Sequence, residues 1–245
     1  MISKKAKIGK GVRFGHNVVV EDNVVIGDNV FIGHNVVIRE GTIIGSDCQI
    51  WDGTVIGKFP SKAKRSATTV SKEFPPCKIG NFVTIGALSI LYRGSVVEDG
   101  VFIADMASIR EDVVIGEETI IGKGVSVENK TTIGKRVKIE TEAYITAMST
   151  IQDYVFIAPQ VTFTNDNFLG RTEERFEQFG GPLIKKGARI GAGSVLLPNV
   201  VVGEDALVAA GSVVTKSLEP KKIYMGVPAK YFKDVPTEQL LENNL

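Results

Sequence analysis

The chain contains few residues of the types that form disulfide frameworks or metal sites. Among 245 residues there are two cysteines and two histidines. Cys48 and Cys77 follow no spacing pattern that is typical of a disulfide framework or a zinc site. We therefore expect no structural disulfide and no bound metal.

The chain also lacks an excess of charge of either sign and any long apolar run. Its 29 Lys and Arg residues almost balance its 28 Asp and Glu residues, which argues against a nucleic-acid or membrane-surface partner. The first residues, MISKKAKIGKG, have no apolar core of the kind found in signal peptides, and no run approaches membrane-spanning length. These absences predict a cytoplasmic protein.

The most prominent feature of the sequence is a repeat of six residues, here called a hexad. An aliphatic or Phe residue opens each hexad, and the fifth position is often Val, Ser, Thr or Ala. The register holds for nine hexads from Ile8, for 15 from Ile79 and for six from Ile184. A helix requires a period near 3.6 and an ordinary strand a period of 2, so this repeat predicts a solenoid of short strands joined by tight turns.

This pattern resembles that of the hexapeptide-repeat acyltransferases. The resemblance extends over nearly the whole chain and implies an all-β fold, a left-handed parallel β-helix with three hexads per coil. The three runs then correspond to about ten coils in total. Because each interruption follows a whole number of coils, both interrupting loops should leave the same edge of the solenoid.

We expect the β-helix to occupy residues 1–219, with protruding loops at about 58–78 and 168–183. Residues 220–245 are expected to form a turn followed by a short C-terminal helix over PTEQLLEN, residues 236–243, that packs over the last coil. The first loop carries six basic residues and one acidic residue, Glu73. That imbalance suggests an arm that covers a phosphate-bearing ligand, with Lys64, Arg65 and Ser66 as contacts; the alternative is a solvated excursion.

Residues 18 apart should stack on one edge of successive coils. Counting back from Thr164-Asn165-Asp166 in steps of 18 reaches at least one polar residue on every coil down to Tyr92-Arg93-Gly94. Small Ala147 lies below Asn165 in this series, which we interpret as space for a ligand. With coils about 4.8 Å apart, the series spans roughly 19 Å, which suits an extended diphosphate-containing molecule. The candidate substrate-binding residues in the series are Tyr92, Arg93, Arg110, Glu128 and Asn129. The alternative is that polar residues simply occupy exposed turns.

His16 and His34 are 18 apart and should stack near the amino terminus, some 30 Å below Asn165. A general base must reach its proton directly or through one water, so neither histidine can act there. A hydroxyl nucleophile needs such a base, whereas an amine needs only to be neutral. The distribution of histidines therefore favours N-acylation over O-acylation, by direct attack without a histidine base.

The stretch FTNDNFLGRTEERF, after IETEAYITAMSTIQDYVFIAPQ, is similar to the branch of this family that N-acetylates nucleotide-linked amino sugars, including 3-amino-3,6-dideoxyhexoses. The resemblance implies that Asn165 and Asp166 approach the sugar amine. Glu140 and Glu142 are weaker candidates for a proton acceptor, since they lie at another edge and would act only across a subunit boundary; solvent exposure is the alternative. Our candidate catalytic residues are Asn165, Asp166 and Glu142.

The C-terminal segment, with ARIGAGSVLLPNVVVGEDALVAAGSVVTKSLEP and MGVPAK, is similar to that of acetyl-coenzyme A users in the family. The resemblance implies a homotrimer in which acetyl-coenzyme A runs between subunits. The implied cofactor-binding residues are Ala192, Gly193, Ala210, Gly211, Lys216, Pro228, Ala229 and Lys230.

The sequence thus predicts transfer of an acetyl group from acetyl-coenzyme A to the amine of a dTDP- or UDP-linked amino sugar. An O-acetyltransferase for a sugar or small molecule is the nearest alternative, and a non-enzymatic β-helix scaffold is the second. A γ-type carbonic anhydrase shares the solenoid but needs three histidine ligands, and this chain has two.

Overall fold

The computed structural model describes residues 1–69 and 71–245, and position 70, inside the first predicted loop, lies outside the described residues. The chain forms three parallel sheets that make the faces of a triangular prism, and it passes through them in the fixed order I, II, III. The fold is an all-β, left-handed parallel β-helix, as predicted.

Most strands are two residues long, because each hexad contributes one short extended segment before the chain turns. Sheet I contains β1 (Lys7–Ile8), β4 (Val25–Ile26), β7 (Ile43–Ile44), β10 (Lys78–Ile79), β13 (Val96–Val97), β16 (Val114–Ile115), β19 (Thr132–Ile133), β22 (Thr150–Ile151), β25 (Leu183–Ile184) and β28 (Val201–Val202). Sheet II contains β2 (Arg13–Phe14), β5 (Phe31–Ile32), β8 (Gln49–Ile50), β11 (Thr84–Ile85), β14 (Phe102–Ile103), β17 (Ile120–Ile121), β20 (Lys138–Ile139), β23 (Phe156–Ile157), β26 (Arg189–Ile190), β29 (Leu207–Val208), β31 (Lys222–Met225) and β32 (Lys230–Asp234). Sheet III contains β3 (Val19–Val20), β6 (Val37–Ile38), β9 (Val55–Lys58), β12 (Ile90–Tyr92), β15 (Ser108–Ile109), β18 (Ser126–Val127), β21 (Tyr144–Ile145), β24 (Thr162–Phe163), β27 (Val195–Leu196) and β30 (Val213–Val214).

The core is a stack of aliphatic side chains that point into the prism. The hexad-opening residue is the inward one of each strand, and Ile32, Ile50 and Ile103 are fully buried. The fifth hexad position also points inward, as Val30 and Val83 do. Ile8, in the first coil, remains 38% exposed because no coil lies beneath it.

The turns between sheets place the third residue after the aliphatic in the left-handed backbone region. Asn17, Asn35, Leu88 and Met106 all have φ between 57° and 62° there. Asn and Gly tolerate this region best, and other residues adopt it at a cost of about 1 kcal/mol or more. We name the turns by the sheets they join: the I–II, II–III and III–I edges.

Both long interruptions connect sheet III to sheet I, as the count of whole coils predicts. The first runs from β9 to β10 and the second from β24 to β25. The second contains one helix, α1 (Arg175–Gln178). Across each interruption the parallel pairing resumes in register, as in Ile43 with Lys78 and Thr150 with Leu183.

The carboxyl-terminal region differs from the expectation of about ten coils and a final helix. Strands β31 and β32 form a hairpin that extends sheet II, giving it twelve strands and a stack about twelve turns deep. Residues 236–243 form two 3₁₀ turns, Thr237–Gln239 and Leu241–Asn243, in place of a regular helix. They lie against the side of the prism, where the Leu241 N–H donates to Asp205 at 3.2 Å. Within the described ranges, no helix is long and apolar enough to cross a membrane.

Candidate functional site

The III–I edge stacks the polar residues that the sequence series identified. Ser108 pairs with Ser126, and Ser126 pairs with Tyr144, so residues 18 apart are neighbours on successive coils, as predicted. Five consecutive levels of this edge are each marked by a residue that ends or follows a sheet III strand: Tyr92, Arg110, Glu128, Thr146 and Thr164. The stacking of the predicted substrate-binding residues therefore follows from strand register.

Arg93, at the lowest of these levels, anchors the first loop. Its Nη1 donates to the Glu40 carbonyl at 2.7 Å, and its Nε donates to the Phe74 carbonyl at 3.2 Å. Its guanidinium lies 4.7 Å from the centre of the Phe59 ring. Much of its donor capacity is thus used by the protein.

Arg110, one level higher, is enclosed by carboxylates. It donates from Nε and Nη2 to both carboxylate oxygens of Glu111, at 2.8 and 3.1 Å, and from Nη1 to Glu128 at 3.2 Å. Glu111 is fully buried. Burial raises the pKa of the Glu128 carboxyl, and the nearby Glu111 charge raises it further, while Arg110 opposes the shift. Two carboxylates on one guanidinium leave little positive charge for a phosphate.

The first loop lies over this edge and is held there by residues other than the predicted ligand contacts. The Asn129 Nδ2 donates to the Thr68 carbonyl at 2.9 Å, and the Arg110 Nη2 donates to the Thr69 hydroxyl at 3.0 Å. Lys64 and Arg65 point into solvent, and the Ser66 hydroxyl accepts from the Thr69 N–H at 3.1 Å. The side chains of Lys64 and Arg65 are therefore accessible to a ligand, while Thr68 and Thr69 hold the loop in place.

Asn165 and Asp166 lie where the second loop leaves the prism, and the chain uses their side chains differently. The Asp166 carboxylate accepts from the N–H groups of Phe168 and Gly170 at 2.8 and 2.9 Å, and forms an ion pair with Arg175 at 3.1 Å. Burial raises the Asp166 pKa, but these donors outweigh it and leave the pKa below its usual value. Among the described residues, the half-buried Asn165 carboxamide has no hydrogen-bond partner.

The space that we expected beneath Asn165 is not open in this chain. Ala147 is only 1% exposed, and the neighbouring Thr146 is 3% exposed. A small side chain at this position therefore contributes to a closely packed edge and does not by itself create a cavity.

Glu140 and Glu142 lie on the II–III edge, after β20, as their position in the repeat predicts. Glu140 forms an ion pair with Lys138 at 3.1 Å, and Glu142 accepts from the Gln160 side chain at 3.1 Å. Glu142 is exposed and has a φ of 60°, like other third positions of these turns. Within one chain, these carboxylates and Asn165 stand on different edges of the prism.

The small residues predicted to meet acetyl-coenzyme A also lie on the II–III edge. Gly193 and Gly211 have φ values of 66° and 70°, and a Cβ added at either would meet nothing within 4 Å. Leu88 and Met106 occupy the same turn position on lower coils, so the backbone there accepts a side chain. The two glycines consequently leave a smooth, open strip on this edge.

The remaining predicted cofactor residues divide between two places. Pro228 and Ala229 form the tip of the β31–β32 hairpin, and the Ala229 N–H donates to the Val213 carbonyl at 2.8 Å, which fixes the tip beside the strand that follows Gly211. Lys230 opens β32 and is exposed. Lys216 follows β30 on the III–I edge, away from the glycine strip.

His16 and His34 stack on the II–III edge of the first two coils, with ring centroids 5.1 Å apart. The backbone N–H of His16 donates to the His34 Nδ1 at 2.9 Å, and the backbone N–H of His34 donates to the Asp52 carboxylate at 2.6 Å. Six coil spacings, or about 29 Å, separate His34 from the level of Gln160. The pair has a structural function in the turns and does not reach the level of Asn165.

Four features of these edges were not predicted: two contacts between residues 18 apart, the burial of Glu111 and the docking of the first loop. Steps of 18 place Gln160 above Glu142 and Arg110 below Glu128, so both contacts could have been found from the repeat. The burial of Glu111 and the docking of Thr68 and Thr69 had no such signal, because the first loop has no period.

The chain belongs to the hexapeptide-repeat acyltransferase family. The family model described as bacterial transferase hexapeptide (six repeats) matches residues 5–40, 23–58 and 181–216, and that of the hexapeptide repeat of succinyl-transferase matches residues 111–147. Together these ranges cover about half of the chain.

The names of three curated relatives state different acceptors. A serine acetyltransferase of Buchnera aphidicola subsp. Acyrthosiphon pisum (strain APS) is 39% identical over 90 residues, covering 37% of this chain and 31% of the relative. A dTDP-3-amino-3,6-dideoxy-alpha-D-galactopyranose 3-N-acetyltransferase of Aneurinibacillus thermoaerophilus is 46% identical over 54 residues, covering 22% and 28%. A galactoside O-acetyltransferase of Escherichia coli (strain K12) is 33% identical over 89 residues, covering 35% and 44%. The chain thus spans less than half the length of each of these relatives.

Proposed function

We propose that the protein transfers an acetyl group from acetyl-coenzyme A to the amine of a nucleotide-linked amino sugar. The observation that carries the proposal is the pair Asn165–Asp166 at the III–I edge. Asn165 presents a half-buried carboxamide that the described chain leaves unpaired, next to a carboxylate whose lowered pKa keeps it ionised at neutral pH. The 46% sequence identity over 54 residues with a dTDP-amino-sugar N-acetyltransferase supports an amine acceptor.

Asn165 hydrogen-bonds the sugar next to the reacting amine in this proposal. Asp166 holds the loop that follows it and adds negative charge beside the amine. An amine directed in this way attacks the thioester carbonyl carbon, the carbon–sulfur bond breaks, and the amine proton leaves with the coenzyme A sulfur or with a carboxylate. Positioning of this kind can lower a barrier by several kcal/mol without a general base.

Acetyl-coenzyme A lies along the glycine strip of the II–III edge in this proposal. Gly193 and Gly211 allow close approach of the ligand to the backbone, and the hairpin tip at Pro228–Ala229 flanks the strip. Because Asn165 is on another edge, a neighbouring copy brings the two substrates together in a homotrimer. Glu142 and Gln160 then face the sugar site of that neighbour.

A panel of acceptors tests the proposed reaction. The purified full-length protein is incubated with acetyl-coenzyme A and dTDP- or UDP-linked sugars that carry either an amine or a hydroxyl at the same carbon, with serine and galactosides added for comparison. We expect acetylation of an amino sugar nucleotide at a rate at least about tenfold above that of its hydroxyl counterpart, because neither histidine of the chain lies near Asn165 to deprotonate a hydroxyl.

Preferred acetylation of galactosides or serine would contradict the proposal and favour O-acetyl transfer, which the similarity to a galactoside O-acetyltransferase supports as the second candidate. Release of free coenzyme A without any acetylated acceptor in the panel would also contradict it.

A further inference from the structure

A cleft of 460 Å³ lies at the base of the first loop, beside the III–I edge. The outgoing part of the loop contributes Phe59 and Lys62, the returning part contributes Lys72 and Phe74, and the prism contributes Glu40 and Arg93. The volume falls within the range that small-molecule sites occupy. None of the residues predicted from the sequence, except Arg93, belongs to it.

The walls of the cleft are held in place by bonds between the loop and the prism. Arg93 bonds the carbonyls of Glu40 and Phe74, and its N–H donates to the Lys58 carbonyl at 3.0 Å. The Gly94 N–H donates to the Pro75 carbonyl at 2.8 Å. Both ends of the loop are thereby fixed, so a ligand meets a preformed site and less ordering is needed on binding.

The lining combines an accessible aromatic ring with charges of both signs. The Phe59 ring is 52% exposed although the Arg93 guanidinium lies 4.7 Å from its centre. Lys62 is exposed, and Lys72 is 4.7 Å from the centre of the buried Phe74 ring and 2.8 Å from Asp112. Glu40 supplies an exposed carboxylate. A ring for stacking, the exposed Lys62 for a phosphate, and the Glu40 and Glu73 carboxylates for N–H or O–H donors together suit a nucleotide better than a simple polyanion.

We propose that this cleft binds the nucleoside part of the sugar nucleotide, with the base against Phe59. This inference rests on the proposed function and identifies a subsite for it. The cleft and Asn165 both lie on the III–I edge. Asn165 is four coil spacings, or about 19 Å, above the level of Arg93 in the cleft, whereas the glycine strip lies on another edge. Between the two levels the loop contacts Arg110 and Asn129, and its exposed Lys64 and Arg65 are available for the diphosphate.

Calorimetry of dTDP and UDP binding to the full-length protein tests the proposal. We expect Phe59→Ala to weaken nucleoside diphosphate binding by about tenfold or more, because stacking on an aromatic side chain is lost. Phe59→Tyr should retain the affinity of the parent protein. Phe82→Ala is the matched control, since Phe82 is 65% exposed on the I–II edge, and it should bind normally. Acetyl-coenzyme A affinity should be unchanged in all three variants.

The results separate the subsite from the reaction. Nucleoside diphosphate binding that is equal in Phe59→Ala and the parent protein overturns the subsite, as does an absence of binding to the parent protein while an amino sugar is still acetylated. Binding that depends on Phe59, in a protein that acetylates no amine, supports the subsite and overturns the proposed function. Circular dichroism and thermal unfolding establish that each variant is folded.

Discussion

At the scale of single residues, the adjacent side chains Asn165 and Asp166 have different uses. Asp166 already accepts two backbone N–H groups and pairs with Arg175, whose side chain is 16% exposed. Asn165 is bonded through its backbone carbonyl, which accepts from the Gly180 N–H at 3.2 Å, while its carboxamide is unpaired among the described residues. We therefore propose that Asn165 contacts the substrate, whereas Asp166 shapes the loop around it.

Substitution of each residue separates these two functions. We expect Asp166→Ala to lower turnover at least about tenfold, equivalent to roughly 1.4 kcal/mol of barrier. Asn165→Ala should raise the Michaelis constant for the sugar nucleotide more than that for acetyl-coenzyme A, because the cofactor strip lies on another edge. Steady-state kinetics with each substrate varied in turn measures both effects.

Arg175→Met is the matched control for the loop, because it removes the ion pair and leaves the Asp166 carboxylate in place. A loss of turnover as large as that of Asp166→Ala would assign the effect to loop structure alone. Kinetics close to those of the parent protein in both Asn165→Ala and Asp166→Ala would place the active site elsewhere.

The stacked histidines give a second prediction at this scale. His34 lies about 29 Å below the level of Gln160, which is in the same coil as Asn165. The double variant His16→Ala/His34→Ala should therefore retain turnover within a few-fold of the parent protein. Loss of a general base typically lowers the rate by about 10² to 10⁴. A fall of that size in a folded double variant, measured with a saturating sugar nucleotide, would refute direct attack without a histidine.

At the scale of elements, the sequence predicted what the repeat controls. The strands, their inward aliphatic residues and the common edge of both loops follow from hexads in whole coils. Contacts between residues 18 apart, such as Arg110 with Glu128 and Gln160 with Glu142, also follow from the repeat, although they were not among the predictions. Each coil forms parallel hydrogen bonds with the next coil, so the period of 18 residues predicts which residues are neighbours in the repeat.

The two loops and the carboxyl terminus lie outside that periodic order, and there the sequence was less informative. The first loop contains Pro60, Pro75 and Pro76 and no hexad, so its docking through Thr68 and Thr69 and the cleft at Phe59 depend on tertiary contacts. The β31–β32 hairpin pairs antiparallel, which a rule built on parallel coils does not predict. The expected terminal helix is replaced by 3₁₀ turns held to Asp205 and Arg189.

At the scale of the whole molecule, the prism separates the two proposed substrate sites. Asn165 and the nucleoside cleft belong to the III–I edge, whereas Gly193 and Gly211 belong to the II–III edge, with sheet III between them. In the proposed parallel trimer, adjacent copies would present one edge of each kind to a shared groove, since head-to-tail contacts between identical subunits close into a ring. Sedimentation should therefore give a trimer, and a stable, active monomer would contradict the shared site.

Mixed trimers test the shared site directly. We expect Asp166→Ala to disable the III–I edge and Gly211→Trp to obstruct the II–III edge; Met106 has a φ of 62° at the corresponding turn, so the backbone there accommodates a side chain. Each variant alone should have little activity. When equal amounts are unfolded together and refolded, about a quarter of the sites in random trimers combine two intact edges and should regain activity. Variants refolded separately and then mixed provide the control, because their trimers do not exchange subunits during a short assay. If each site lay within one chain, every site would keep one altered edge, and co-refolding would restore no activity.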